Sequence, residues 1–262
     1  MNTIKIVNNK IVTDIDDTIN VELIEKTNFF SVKKIIINIQ KDTNLRIDFK
    51  NKSLEKWNIE FNVNGNFNLF MLSFGSESKI QYVYNLNDFS NTFVYKFNDV
   101  KTIKERTIIN LNGINSKINY NFRTISKNIE EYDYLINHNA SNTESVLNTN
   151  GVNIRKGILS FNITGEVKNN IKDSIINESS RIINLTNNEC IIKPNLLIEE
   201  YSVSANHSAL IGNFNDDELF YLQSRGIPKK KAINLLIKGF LLENSFEEYK
   251  LDIEKIIDKY WR

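Results

Sequence analysis

Two histidines, His138 and His207, and one cysteine, Cys190, are the only soft or borderline metal ligands in this 262-residue chain apart from two methionines. No HExxH, CxxC or His-x-His spacing brings any of them together. A single cysteine forms no internal disulfide and cannot by itself build a cysteine-ligated zinc or cluster site. A lone histidine in a β-rich chain is more readily a hydrogen-bonded structural residue than a ligand, so each starts as a candidate only. No GxxxxGK(S/T), GxGxxG or GxSxG occurs, and the chain has no recognisable nucleotide loop or nucleophile elbow of its own. The carboxylate pairs Asp16–Asp17 and Glu130–Glu131 are adjacent in sequence. On a strand such neighbours point to opposite faces, so a glycosidase-like pair would need partners from distant segments.

The elements that must position these residues are mostly strands. Trp57, Ile59, Phe61 and Val63 alternate with Asn58, Glu60 and Asn62, the period of a half-buried strand. The same period runs through Leu45–Ile47–Phe49, Ile80–Tyr82–Tyr84–Leu86 and Ile118–Tyr120–Phe122. Shorter pieces follow to Leu196–Ile198, separated by polar turns. Glycine (9) and proline (2) are scarce, and abundant asparagine is assigned to the turns because it tolerates the left-handed region. Such spacing suits a sandwich, a barrel or a β-solenoid, and the absence of a fixed-period repeat leaves the three open.

After residue 214 the pattern turns helical. Asn215 followed by Asp216, Asp217 and Glu218 reads as an N-cap with an acidic first turn, and Gly226 as its stop. Pro228 suits position N1 of a second helix with Ala232, Leu235, Leu236, Gly239 and Phe240 along one stripe. Ser245 is placed as the cap of a third. Leu219, Phe220 and Leu222 are expected both to cover the open end of the β-stack and to meet a partner.

Charged residues make up 25% and hydrophobic ones 41%, with a net charge of +1. This balance suits a folded protein and gives no reason to expect nucleic acid. Lys229–Lys231 is read as a solvated helix surface. No apolar run approaches the roughly 20 residues that span a bilayer, and the N-terminus lacks an apolar signal core. With one cysteine, the expectation is a cytoplasmic protein with no membrane contact.

Residues 206–240, NHSALIGNFNDDELFYLQSRGIPKKKAINLLIKGF, resemble the C-terminal signature of the SufB/SufD family of iron–sulfur cluster assembly. Asn206–Ala209 stands for the family's Ser-His-Gly-Ala, and Asp217–Leu222 and Ser224–Ile227 match closely. Upstream, Lys193–Ile198 is similar to the family's KPELxI strand. The segment from His138 to Ser145 is similar to H-x-A-x-x-T-x-S, with Gly157–Leu159 after it. The absence of a cysteine after Phe220–Tyr221 makes the chain SufD-like rather than SufB-like.

The resemblance implies a mainly β fold, a right-handed parallel β-helix followed by a C-terminal α-helical domain. Its divisions would be residues 1–32, 33–214 and 215–262. It implies a non-enzymatic scaffold that pairs with a SufB-like subunit, or with itself, and docks a SufC-like ABC ATPase through the helices. Tyr221, Gln223, Ser224, Arg225, Ile227 and Phe240 would carry that docking. His207 would be a metal ligand shared with the partner, with no cofactor held firmly by this chain alone and iron or a nascent cluster at the subunit interface. Three departures stand out. Ala205 replaces a frequent cysteine, Ser208 replaces the glycine after the histidine and is expected to alter a local turn, and the family's helical N-terminal domain is expected to be missing. The rival reading is a β-helical carbohydrate-active or glycan-binding protein.

Overall fold

The computed structural model describes residues 2–7, 10–26, 32–51, 56–155 and 157–261. Strands β1 (Asn2–Val7), β2 (Lys10–Asp14), β3 (Ile19–Lys26), β4 (Val32–Ile39), β5 (Thr43–Asn51) and β6 (Lys56–Val63) lead into two long strands. These, β7 (Asn66–Leu86) and β8 (Asn91–Leu111), each turn a corner without breaking. Then come β9 (Lys117–Ser126), β10 (Ile129–His138), β11 (Glu144–Asn153), β12 (Ile158–Val167), β13 (Ser174–Asn184), β14 (Cys190–Ile198) and β15 (Val203–Gly212).

Successive strands alternate between two parallel ladders, so the chain winds as a β-solenoid of about six turns. The first ladder runs β1, β5, the first half of β7, the first half of β8, β9, β11, β13 and β15. The second runs β4, β6, the second halves of β7 and β8, β10, β12 and β14. At the N-terminal end β2 and β3 fold back antiparallel onto β1 and β4. The coil lengthens along the stack. Asn62 bonds to Asn85, 23 residues on, whereas Thr149 bonds to Ser180, 31 residues on. That drift is why no fixed-period repeat is visible in the sequence.

The alternation read from the sequence sets the packing. β6 buries Trp57, Ile59, Phe61 and Val63, and the rows above continue inward as Tyr82, Tyr84 and Leu86. The interior is rich in rings: Phe61 stacks on Tyr84 at 4.7 Å, and Phe122 meets Tyr132 at 4.5 Å between centroids. Each fully buried ring of this size stabilises the fold by roughly 1.5–3 kcal/mol.

Asparagine does more than make turns. On the outer face of the second ladder, Asn38, Asn62, Asn85, Asn110 and Asn137 stack in register. From Asn62 onward each side-chain amide donates to the Oδ1 of the coil before it, at 2.8–2.9 Å. Asn87 repeats the bond to Asn64 at the corner, as does Asn139 to Asn112. An amide carries both donor and acceptor, so identical residues one coil apart satisfy each other; this is the logic of asparagine ladders in stacked strands.

Helices α1 (Asp216–Ser224), α2 (Lys229–Leu242) and α3 (Lys250–Trp261) follow, the last entered through a 3₁₀ turn at Glu247–Tyr249. Among the described residues no helix is long and apolar enough to cross a membrane. Asn215 caps α1 by accepting from the Asp217 N–H at 3.0 Å. Gly226 ends it at φ +80, with Ile227 N–H bonded to the Leu222 carbonyl and Gly226 N–H to that of Gln223, the Schellman pattern. Pro228 is the N-cap of α2, one residue before the position expected. Ser245 caps nothing; its hydroxyl is buried without a partner, and Phe246 opens the 3₁₀ turn instead.

The helices lie on the flank of the first ladder and leave the open end uncovered. Outward residues Phe70, Leu72, Tyr95, Phe97, Ile125, Val152 and Ile183 form a second core with Ile237, Leu241, Tyr249 and Ile253. The first half of β8 is therefore buried on both sides, Val94 and Lys96 inward and Tyr95 and Phe97 under the helices. The last carbonyls of α2 are satisfied by strand side chains: Asn150 to Phe240, Tyr95 to Leu241 and Arg123 to Glu243. A guanidinium at a helix C-terminus also complements the dipole. The expectation that Leu219, Phe220 and Leu222 close the β-stack does not hold. α1 buries no residue, and β15 stays largely exposed, because the aromatic row that binds the helices lies on the ladder's outer face.

Candidate functional site

The open end is built by β14 and β15, beyond which no strand pairs among the described residues. The two edges differ. β14 carries Pro194, which has no N–H to give and so suits an edge that must not extend. β15 has no proline over ten residues and exposes Leu210 and Ile211. It is an edge able to accept another strand.

His207 lies in the middle of β15, in register with Glu178 of β13. Residues in register on parallel strands point to the same face. Glu178 is buried, so His207 continues an inward row that ends at solvent because no coil lies above it. Ala205 sits two residues earlier on that row, facing Ile176. Ser208 points outward in mid-strand and its hydroxyl bonds to Ser179 at 3.2 Å, so the glycine-to-serine departure falls in a strand and alters no turn. Asn206 bonds to Asn177 at 3.4 Å.

Glu178 is the residue the sequence reading missed. Burial pushes its carboxyl up to about 7, and neither oxygen has a hydrogen-bond partner. The signal was present: Ile176, Glu178, Ser180 and Ile182 alternate on one face, and an acid in that row must either be paired or have a task.

The other two candidate ligands stand elsewhere. His138 is buried, with Nδ1 2.7 Å from Thr143 Oγ1 and Nε2 2.9 Å from Ser145 Oγ. Thr143 in turn donates to the Ala140 carbonyl and meets Ser174 at 3.0 Å. Both ring nitrogens are used, and burial pulls its pKa down to about 4, so the imidazole stays neutral and structural. The H-x-A-x-x-T-x-S segment is a corner staple. Cys190 begins β14, half-buried, where Asn153 donates to its sulfur and burial raises its thiol pKa. Among the described residues no group of three or more His, Cys, Asp or Glu side chains gathers in metal-binding geometry. One imidazole and one carboxylate at the open end could hold a first-row ion only with further ligands from outside this chain.

Of the adjacent acids, Glu130 points inward and Glu131 outward to Lys104, as strand geometry requires. Glu130 is bonded to Thr124 and Tyr132, and its carboxyl is pushed up to about 7 by burial. A second charged group lies deeper, on β8, three strands below β14 in one ladder and four below β15 in the other, where Lys96 and Glu105 form an ion pair fully inside the solenoid. These groups are buried and touch no opening.

The predicted docking residues cluster on α1. Phe220 is 73% exposed and Tyr221 57%. The Arg225 guanidinium stands 5.3 Å over the Tyr221 ring. Gln223 and Ser224 bond back to the Leu219 and Tyr221 carbonyls, and Ile227 is half-buried in the stop of the helix. Phe240 is set apart from them: half-buried against the helix–solenoid core, it holds the Arg181 guanidinium 5.2 Å over its ring. Lys229–Lys231 are exposed in the first turn of α2.

Comparison with known proteins fits this geometry. Residues 90–240 match the family model described as SUF system FeS cluster assembly, SufBD core domain. The chain is similar to the iron–sulfur cluster assembly protein SufD of Bacillus subtilis, 29% identical over 192 residues, which are 71% of this chain and 41% of that protein. A SufBD family protein of Galdieria sulphuraria is 28% identical over 126 residues, 46% of this chain and 56% of the relative. One from Mycobacterium tuberculosis is 49% identical over 51 residues, 19% of this chain and 13% of the relative. The match thus covers 41% of the length of the Bacillus relative.

Proposed function

The chain belongs to the SufBD core-domain family of the SUF iron–sulfur cluster assembly system, and from that membership we propose that it is a non-enzymatic, SufD-like scaffold subunit of a cytoplasmic assembly machine. The observation that carries this reading is the pairing of two free surfaces on one rigid frame. One is the exposed β15 edge with His207, and the other is the aromatic face of α1. A SufB-like subunit adds to the first, by strand pairing along β15 in preference to the proline-bearing β14. The solenoid winds right-handed, the sense in which parallel crossovers overwhelmingly pack. Iron or the nascent cluster is cargo at that joint, with His207 as this chain's contribution and the remaining ligands from the partner.

A SufC-like ATPase docks on the second surface through Tyr221, Gln223, Ser224, Arg225 and Ile227. Phe240 contributes by holding α2 to the solenoid. Aromatic and arginine side chains anchor such contacts through buried area and forked hydrogen bonds.

Co-expression with a SufB-like and a SufC-like subunit, followed by affinity capture, tests the assignment. A three-component complex is expected. Arg225→Glu should cost ATPase affinity by roughly 2 kcal/mol or more while the SufB-like partner is retained. His207→Ala should leave the complex assembled and lower its iron content. Recovery of the chain alone, or glycan binding without these partners, overturns the reading.

A further inference from the structure

Glu178 is 4% exposed, and neither of its carboxylate oxygens has a hydrogen-bond partner. A buried, unpaired acid opposes folding, and an apolar residue in its row would pack without that penalty. The opposite ladder makes room for it. A Cβ placed on Gly165 of β12 would come within 2.8 Å of Glu178 Oε1 and 3.1 Å of Leu196 Cδ2. Two positions, one in each ladder, are given over to this carboxylate.

The next residue of the Glu178 row is His207, one strand spacing of about 4.8 Å away and on the same face. Of the neighbouring inward groups, Ser180 is already bonded to Thr149 at 2.7 Å, and Ala205 and Ile176 bring no donor. What remains at the mouth of the interior is one carboxylate and one imidazole, donors suited to a divalent first-row ion.

We infer that Glu178 and His207 form a two-donor seat for a divalent first-row transition-metal ion at the mouth of the solenoid, its other positions filled by water or a partner subunit. The inference rests on the reading of His207 given above and adds Glu178 as the group that works from inside.

Cobalt(II) titration of the full chain, followed by visible absorption and by thermal melting, tests it. One equivalent should bind, with Glu178→Gln and His207→Ala each weakening binding about tenfold or more. Cobalt should raise the melting temperature of the native chain and not that of Glu178→Gln. Without metal, Glu178→Gln should melt higher than the native chain, which also shows that the variant folds. Unchanged cobalt affinity in Glu178→Gln, or no stoichiometric binding to the native chain, overturns the inference. So does an unaltered apo melting temperature. If His207→Ala leaves cobalt binding intact yet strips iron from the assembled complex, the seat fails while the scaffold role of His207 stands. The reverse pattern sinks that role and not the complex.

Discussion

Replacing Lys96 with methionine should destabilise the fold by about 3–5 kcal/mol, although the new side chain is apolar and of similar length. Lys96 and Glu105 are 0% and 1% exposed and form an ion pair inside the solenoid. The ammonium also stands 3.8 Å from the centre of the Tyr82 ring. Glu105 receives weaker support from Asn98 at 3.4 Å and Thr107 at 3.5 Å. Burial pulls the Lys96 pKa down to about 8 against the opposing pull of Glu105. A drop from the ordinary 10.5 to about 8 means that holding the charge inside costs on the order of 3 kcal/mol even with its partner present. Removing Lys96 takes away that partner and leaves Glu105 buried with only two long hydrogen bonds. Urea denaturation should show the loss as a midpoint lowered by roughly 1–2 M, for a slope near 2–3 kcal/mol/M. The double variant Lys96→Met/Glu105→Gln should recover most of it, since two apolar or neutral groups replace a pair that is costly to desolvate. The pH dependence has a fixed sign. Between pH 8 and 10.5 the unfolded chain keeps a proton the native one releases, so titration of Lys96 raises stability with pH across that window. Lys96→Met abolishes the rise. A single variant within about 1 kcal/mol of native, or a double variant no better than the single, refutes this account of the interior pair.

Glu130 gives the opposite pH slope: its carboxyl titrates at about 7 in the fold and near 4.5 unfolded, so stability falls as pH rises between those values, by on the order of 3 kcal/mol. Glu130→Gln should flatten that slope, gain on the native chain at pH 8 and converge with it below pH 4.5, read as urea midpoints across a pH series; parallel curves would show that the buried acid is not the cause. Arg123→Ala removes bonds to the Phe122, Asn148 and Glu243 carbonyls. It should loosen α2 and α3 by about 2–4 kcal/mol, raising their amide exchange while the strands stay protected. Uniform exchange across both parts would mean that the guanidinium does not latch the helices.

The sequence alone determined the strands, the helical tail and the cap chemistry at both ends of α1, because alternation and Asn215 or Gly226 act locally. Resemblance in the last half of the chain placed it in its family, and the matching residues 90–240 bear that out. The choice among sandwich, barrel and solenoid could not come from spacing, since coils of 23 to 31 residues blur any period. Nor could the asparagine ladders be seen, because each rung joins residues a whole coil apart. Which side of a strand meets which layer is likewise a tertiary matter. Tyr95 and Phe97 look like a core face, yet they lie outside under the helices while Lys96 lies within. The candidate site shows the same division. His207 was legible from its motif, but Glu178 became visible only when register set it beneath that histidine and Gly165 opened the space opposite. Local chemistry writes the elements into the sequence, whereas burial depends on which coils stack, and only the folded chain settles that.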